Sequence, residues 1–317
     1  MSQAAPATLR ICSFRGLQNL PLYVAAREGF FRREALAIEL SYTNGSAPQL
    51  GGLARGAFDL VQTAPDNVIK LNDDPAAFGL DADSRPRAVL VMGGSNGRLS
   101  VYAKRDIQSA EELRGQALGV DNPASGFALV LRDLLARAGL LLDRDYAFVA
   151  AGSTDARCEK LLRGETPATI LYMPFDLRAE AAGCACLARS TEHYAAYASV
   201  ALAGMRGWLD EHPDLATRYI RAILGSVRWI YDPANAEAVR RILREEPALA
   251  LDVDLAREAY AAFTAPETGF GREAALDLPG LRQVISIRQR FGNPRGMLAE
   301  PEAYCDARYY EAARASM

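Results

Sequence analysis

Three features of the sequence point to an α/β fold with a helical C-terminal region. Up to about residue 189, short apolar runs of strand character alternate with amphipathic helical segments. From Trp208 onward only helical periodicity remains. The chain has 317 residues, 50% of them hydrophobic. At roughly 100–200 residues per domain, that is enough for two lobes with their own cores.

The elements follow in order. TLRICSF (residues 8–14) reads as a strand and PLYVAAREGFF (21–31) as a helix. Pro21 suits the first helical turn, where its missing N–H costs nothing, and Gly29 suits the left-handed position that ends it. Leu22, Ala25, Ala26 and Phe30 are expected to pack on the sheet. LAIELSYT (36–43) is a second strand, and a helix runs from Ser46 to Gly56. AFDLVQTA and RAVLVMGG are the third and fourth strands.

A second unit begins near residue 95. LSVYAKRD is strand-like, Ser109 and Glu112 stand at capping-box spacing, and QALGVD is a short buried strand. In SGFALVLRDLLARAGL, Phe127, Val130, Leu131, Leu134, Leu135 and Ala138 share a helical face that Gly139 stops. YAFVAA, DARCEKLLRG, ATILYM, FDLRAEAAG and ACLARS continue the alternation of strand and helix. Beyond Trp208, four segments read as helices and no new strand is expected.

Composition narrows the function. A net charge of −3 gives no basic patch for nucleic acid. No apolar run reaches the roughly 18 residues of a membrane helix. MSQAAPATLR has no apolar h-region, so a secretory signal is not expected in it. Cys12, Cys158, Cys184, Cys186 and Cys305 are odd in number and scattered, which favours free thiols over a disulfide framework. GGSNG (93–97) fits the nucleophile-elbow pattern, but a strand, not a helix, is expected after it. Ser95 therefore reads as part of a turn near a hinge. Cys184 and Cys186 alternate along a strand and point to opposite faces, which suits a metal poorly. No cofactor fingerprint appears.

The sequence LRICSFRGLQNLPLYVAAREGFFRREALAIEL followed by LARGAFDLVQTAPDNVI resembles the solute-binding proteins of ABC importers. Within them it is most similar to the nitrate/sulfonate/taurine (SsuA-like) group and to relatives that bind a thiamine-pyrimidine precursor. The matching residues are Pro21, Leu22, Ala25, Gly29, Phe30, Phe31, Gly56 and Asp59. The resemblance implies the periplasmic-binding-protein type II fold: two lobes, each a mostly parallel sheet flanked by helices. They would comprise residues 7–94 plus 200–317 and residues 95–199, with hinge crossovers near 95–100 and 195–201. It implies a monomer that closes on a small-molecule ligand, serves an ABC permease, and works in the periplasm. Without a leader, a cytoplasmic location is the alternative, and with it a cytosolic enzyme on this fold, pyrimidine-synthase-like or desulfinase-like, or a ligand sensor. For a desulfinase-like enzyme, Cys12 is the nearest cysteine to the expected nucleophile position, yet it falls in mid-strand.

In doubly wound sheets, ligands bind at the carboxyl ends of strands, where helix N-termini point in. Five loops qualify. In SFRGLQN (13–19), Phe14 offers a ring, Asn19 an amide, and Arg15 a cation for a carboxylate or sulfonate, unless it is a solvated loop arginine. In NGSA, Asn44 and Ser46 are candidates, with Ser46 also a helix cap. In QTAPDN, Gln62 and Thr63 end a strand in what the resemblance implies is a ligand position, and Asp66 caps a helix. In DNPASGF, Asn122, Ser125, Gly126 and Phe127 surround the start of the strongest helix of the second unit, an anion-type site or a plain cap. Ser153 and Tyr172 complete the set, with Ser95 beside the hinge.

Overall fold

The computed structural model describes residues 5–317. Two five-stranded sheets organise it. The first comprises β1 (Ala7–Ser13), β2 (Leu36–Tyr42), β3 (Leu60–Thr63), β4 (Ala88–Met92) and β10 (Ala201–Met205), in the order β2-β1-β3-β10-β4. The second comprises β5 (Ser100–Ala103), β6 (Ala117–Val120), β7 (Ala147–Ala150), β8 (Ala168–Leu171) and β9 (Ala185–Arg189), in the order β7-β6-β8-β5-β9. Each sheet holds one reversed strand. β10 is antiparallel to both neighbours in the first, and β5 in the second. These two are the strands entered from the other sheet, through residues 93–99 and 190–200.

The helices between strands are α1 (Leu20–Arg27), α2 (Phe30–Arg33), α3 (Ser46–Ala54), α4 (Pro65–Asp73), α5 (Gly126–Arg137), α6 (Thr154–Leu162) and α7 (Phe175–Ala181). After β10 come α8 (Arg206–Glu211), α9 (Pro213–Tyr231), α10 (Ala236–Glu245), α11 (Val253–Phe263), α12 (Leu278–Phe291) and α13 (Arg308–Ala315). Pro21 stands in the first turn of α1, and Gly29 has φ 76° between α1 and α2. Leu22 and Ala25 are buried as expected, but Ala26 is exposed and Phe30 half-buried. Phe31 takes the packing place instead and stacks on Tyr219 of α9 at 5.7 Å.

Two elements depart from the sequence expectation. β10 was not foreseen: its residues, Ala-Leu-Ala-Gly-Met, carry little β-propensity, and four of the five are buried between β3 and β4. The segment after Ser109 forms only a 3-10 turn over Glu111–Leu113. Ser109 Oγ bonds Glu112 Oε1 at 3.0 Å but caps no helix.

The two crossovers are zipped together. Ser199 donates from its N–H and its Oγ to Ser95 O, at 3.1 and 3.0 Å. Gly97 N–H donates to Ser199 Oγ at 3.1 Å, and Leu99 N–H to Ser190 Oγ at 3.0 Å. Ser95 is followed by β5, so no nucleophile elbow forms.

Candidate functional site

A cavity of about 40 Å³ lies between the sheets. Its walls are the carboxyl ends of strands and the starts of helices, where backbone groups are left over from both kinds of element. Gln62 and Thr63 end β3, Phe14 follows β1, Asp121 follows β6, and Tyr172 follows β8. Asn67 comes from the first turns of α4, Ser125, Gly126 and Phe127 from the start of α5, and Ser153 and Thr154 from the start of α6. Phe14, Phe127 and Tyr172 give the cavity its aromatic wall. The last two rings meet edge-on at 5.6 Å.

Eight of the candidates named from sequence thus line one cavity: Phe14, Gln62, Thr63, Ser125, Gly126, Phe127, Ser153 and Tyr172. Ser125 is also a true cap, accepting from Ala128 N–H at 3.3 Å while its Oγ donates to Asp121 Oδ1 at 2.6 Å. Tyr172 Oη reaches across the cleft to Arg15 O at 3.0 Å, and Leu17 N–H to Met173 O at 3.1 Å.

Six candidates lie elsewhere. Asn19 is fully buried and spent on its own loop: Oδ1 accepts from Ser13 Oγ at 2.6 Å and Nδ2 donates to Phe14 O at 2.7 Å. Arg15 stands on the outer rim, over the Tyr42 ring and 3.9 Å from Asp155 Oδ2. Asn44 is exposed on the same rim. Ser46 is the first residue of α3, behind the extended N-cap Gly45, so it neither caps that helix nor reaches the cavity. Asn122 is exposed and closes a turn onto Ala124 N–H at 2.8 Å. Ser95 lines a smaller adjoining chamber of about 20 Å³, with Leu17, Arg98, Met173, Phe263 and Phe270.

Asp66 does not cap α4, whose N-cap is Ala64. Its carboxylate instead takes Arg288 of α12 in a buried bidentate pair, Nη2 to Oδ2 at 2.6 Å. Arg288 Nη2 also donates to Ala124 O at 3.0 Å, ahead of α5. Asp66 packs on Gly126, where an added Cβ would lie 2.6 Å from Asp66 Cβ.

Sequence reasoning passed over the buried cation. Arg157, one turn into α6, is 1% exposed and lines the cavity. Nε donates to Thr169 Oγ1 at 3.0 Å, Nη1 to Gly152 O at 2.8 Å, and Nη2 to Thr154 Oγ1 and Ile170 O at 3.0 and 3.2 Å. Burial pulls its guanidinium below the ordinary range, and Asp121 opposes that shift. The available signal was helical spacing: residue 157 lies four beyond Ser153 and so shares the face of that N-cap. Asn67, Asp121, Thr154 and Gln18 were passed over as well, and Gln18 is the most telling. Its Nε2 donates to Phe14 O at 2.9 Å, which leaves Oε1 a buried acceptor without a donor. Among the described residues, no cluster of His, Cys, Asp or Glu could hold a metal ion.

The fold is shared with solved binding proteins. The periplasmic nitrate-binding protein NrtA of Synechocystis PCC 6803 superposes with a TM-score of 0.82 at 12% identity, over 98% of this chain and 89% of that one. The alkanesulfonate-binding protein SsuA of Xanthomonas axonopodis pv. citri, bound to MOPS, gives 0.71 at 15% identity, over 94% and 99%. A DszB mutant in complex with biphenyl-2-sulfinic acid gives 0.67 at 15% identity, over 98% and 100%. No curated protein matches the sequence. The family model that does match, over residues 2–244, is that of the NMT1-like family, and the chain belongs to it.

Proposed function

We propose that this protein is a periplasmic solute-binding protein. It captures a small, ring-bearing organic solute between its lobes, closes about the two crossovers as a monomer, and hands the solute to an ABC importer. The lobes would be residues 7–94 with 200–317, and residues 95–199. The observation that carries this reading is the cavity: flat aromatic walls, neutral polar groups from both sheets, and helix starts aimed inward. Binding needs only a solute that stabilises the closed arrangement over the open one.

The polar groups favour a heterocycle over a carboxylate or sulfonate. Gln18 Oε1 is a buried acceptor that a bare anion cannot satisfy. Arg157 has committed four of its five N–H donors to the protein, so it cannot grip an oxyanion in bidentate fashion. A ring carrying an N–H donor satisfies Gln18 and stacks on the walls.

The enzyme reading draws on the likeness to DszB, and the cysteines weigh against it. Cys12 is 1% exposed in β1 and burial pushes its thiol up. Burial likewise pushes the Cys158 thiol up to about 12. Nucleophilic cysteines need the opposite shift. Native mass spectrometry of purified protein tests the proposal: a carried-over organic molecule of ring type is expected. Tight binding of inorganic phosphate or sulfate, with no organic solute, would overturn it.

A further inference from the structure

Arginine–aspartate pairs ring the cleft, among them Arg288 with Asp66, Arg15 with Asp155, and Arg157 with Asp121. Each of these three cations faces a carboxylate of its own chain. Only the third pair lines the cavity itself. The single N–H that Arg157 leaves uncommitted is on Nη1, and Nη1 is also the atom nearest Asp121, 3.9 Å from Oδ1. Asp121 is held in place by the Ser125 hydroxyl at 2.6 Å, and its side chain is 16% exposed. The two helix starts beside it, α5 and α6, would otherwise make this wall attractive to anions.

We propose that Asp121 is a specificity-determining residue: a fixed counter-ion for Arg157 that keeps the cavity neutral and turns small oxyanions away. The inference rests on this cavity being the ligand site. A like charge within ~4–6 Å disfavours a second anion, and rejecting the wrong ligand by repulsion is as effective as gripping the right one. A neutral solute meets no such penalty, and the Asp121 oxygen not bonded to Ser125 is a further acceptor for its N–H.

The test is Asp121→Asn, which keeps the shape and the acceptor for Ser125. Nitrate and methanesulfonate are titrated by calorimetry at constant ionic strength, with chloride as reference. Wild type is expected to bind neither in the millimolar range. Asp121→Asn should gain at least tenfold in affinity for one or both, and Asp121→Glu should reject them as wild type does. Arg157→Met in the Asp121→Asn background should abolish the gain. If Asp121→Asn fails to fold, Asp121→Ser carries the same comparison. Equal binding by wild type and the neutral variant, or no gain in the variant, overturns the inference. The native mass spectrum answers separately for the solute: an anion gain in the variant would stand even if wild type carried no organic molecule.

Discussion

Gly126 packs directly on Asp66 across the cleft, and an alanine there should hold the cleft open. A Cβ at this position would stand 2.6 Å from Asp66 Cβ and 2.7 Å from both Asp66 Cγ and Oδ2. Ordinary contact needs at least 3.4 Å, so about 0.8 Å must be found. Asp66 cannot supply it cheaply, because its side chain is 2% exposed and clamped by Arg288. Inserting a methyl group into a packed, pinned site costs about 1–3 kcal/mol. Within α5 itself the change is benign: Gly126 is not among the left-handed glycines, and alanine is the better helix former. The strain therefore falls on closure and leaves the folding of each lobe intact. At about 1.4 kcal/mol per factor of ten, Gly126→Ala should shift the closed-to-open ratio by about 5- to 150-fold. Small-angle scattering reads this directly as a larger radius of gyration at an unchanged melting temperature, and solute affinity should fall by a similar factor. A folded Gly126→Ala protein with wild-type scattering and affinity would refute the reasoning.

Two further outcomes follow from buried charges. Arg288→Met alone should cost about 3–5 kcal/mol in urea denaturation by leaving Asp66 buried and unpaired, whereas the double change Arg288→Met with Asp66→Leu should recover most of that loss; equal losses would argue that the pair is not coupled. Asp176 is fully buried, and burial, opposed by Arg98 with Nε 3.0 Å from Oδ2, raises its carboxyl from 3.8 to about 6. The native state then holds the proton more tightly than the unfolded chain. Its contribution to stability is present below pH 4 and is lost as pH rises through 6, by about 3 kcal/mol at most. Asp176→Asn should flatten the fall in unfolding free energy between pH 4 and 6.5, and an unchanged slope would rule this out.

The scaffold was legible because its signals are local. Pro21, Gly29, Ser125 and Gly139 mark helix ends by backbone chemistry that needs no partner, and they stand where the structure ends or begins its helices. The strand that was missed, β10, has no local signal, since its strand character comes from insertion between β3 and β4. The candidate site divides along the same line. The rule for carboxyl ends of strands brought eight of the fourteen named residues to the cavity, but it could not say which side chains within a loop would face it. Asn19 and Arg15 look alike as polar loop residues, yet one staples its own loop and the other sits on the rim. Arg157 was hidden because a helical arginine reads as solvent-facing, and only the fold buries it against Thr169 and Ile170.

The least legible residues are two glycines, Gly16 and Gly126, whose close neighbours include side chains far away in sequence. Gly16, in the loop before α1, has φ 158°, and a Cβ there would overlap Gln18 Oε1 most closely and come within 2.7 Å of the Tyr172 ring. Gly126 meets Asp66 in the same way from the other side. One glycine on each wall leaves room for the Tyr172 ring on one side and the Asp66 carboxylate on the other. In sequence each passes for a loop or cap glycine, because Asp66 lies 60 residues from Gly126, and the Tyr172 ring, which with the neighbouring Gln18 side chain fills the space beside Gly16, lies 156 residues from it. The segment 21–31, which forms α1 and the start of α2, carries the residues of the family resemblance and packs on α9. The loop just before it, with Gly16, Phe14 and Gln18, brings side chains to the cavity and accepts Tyr172 Oη from across the cleft at Arg15 O. Solute affinity, read by calorimetry, should therefore respond to changes at Phe14 and Gln18, whereas a change at the buried Leu17 should lower the melting temperature as well.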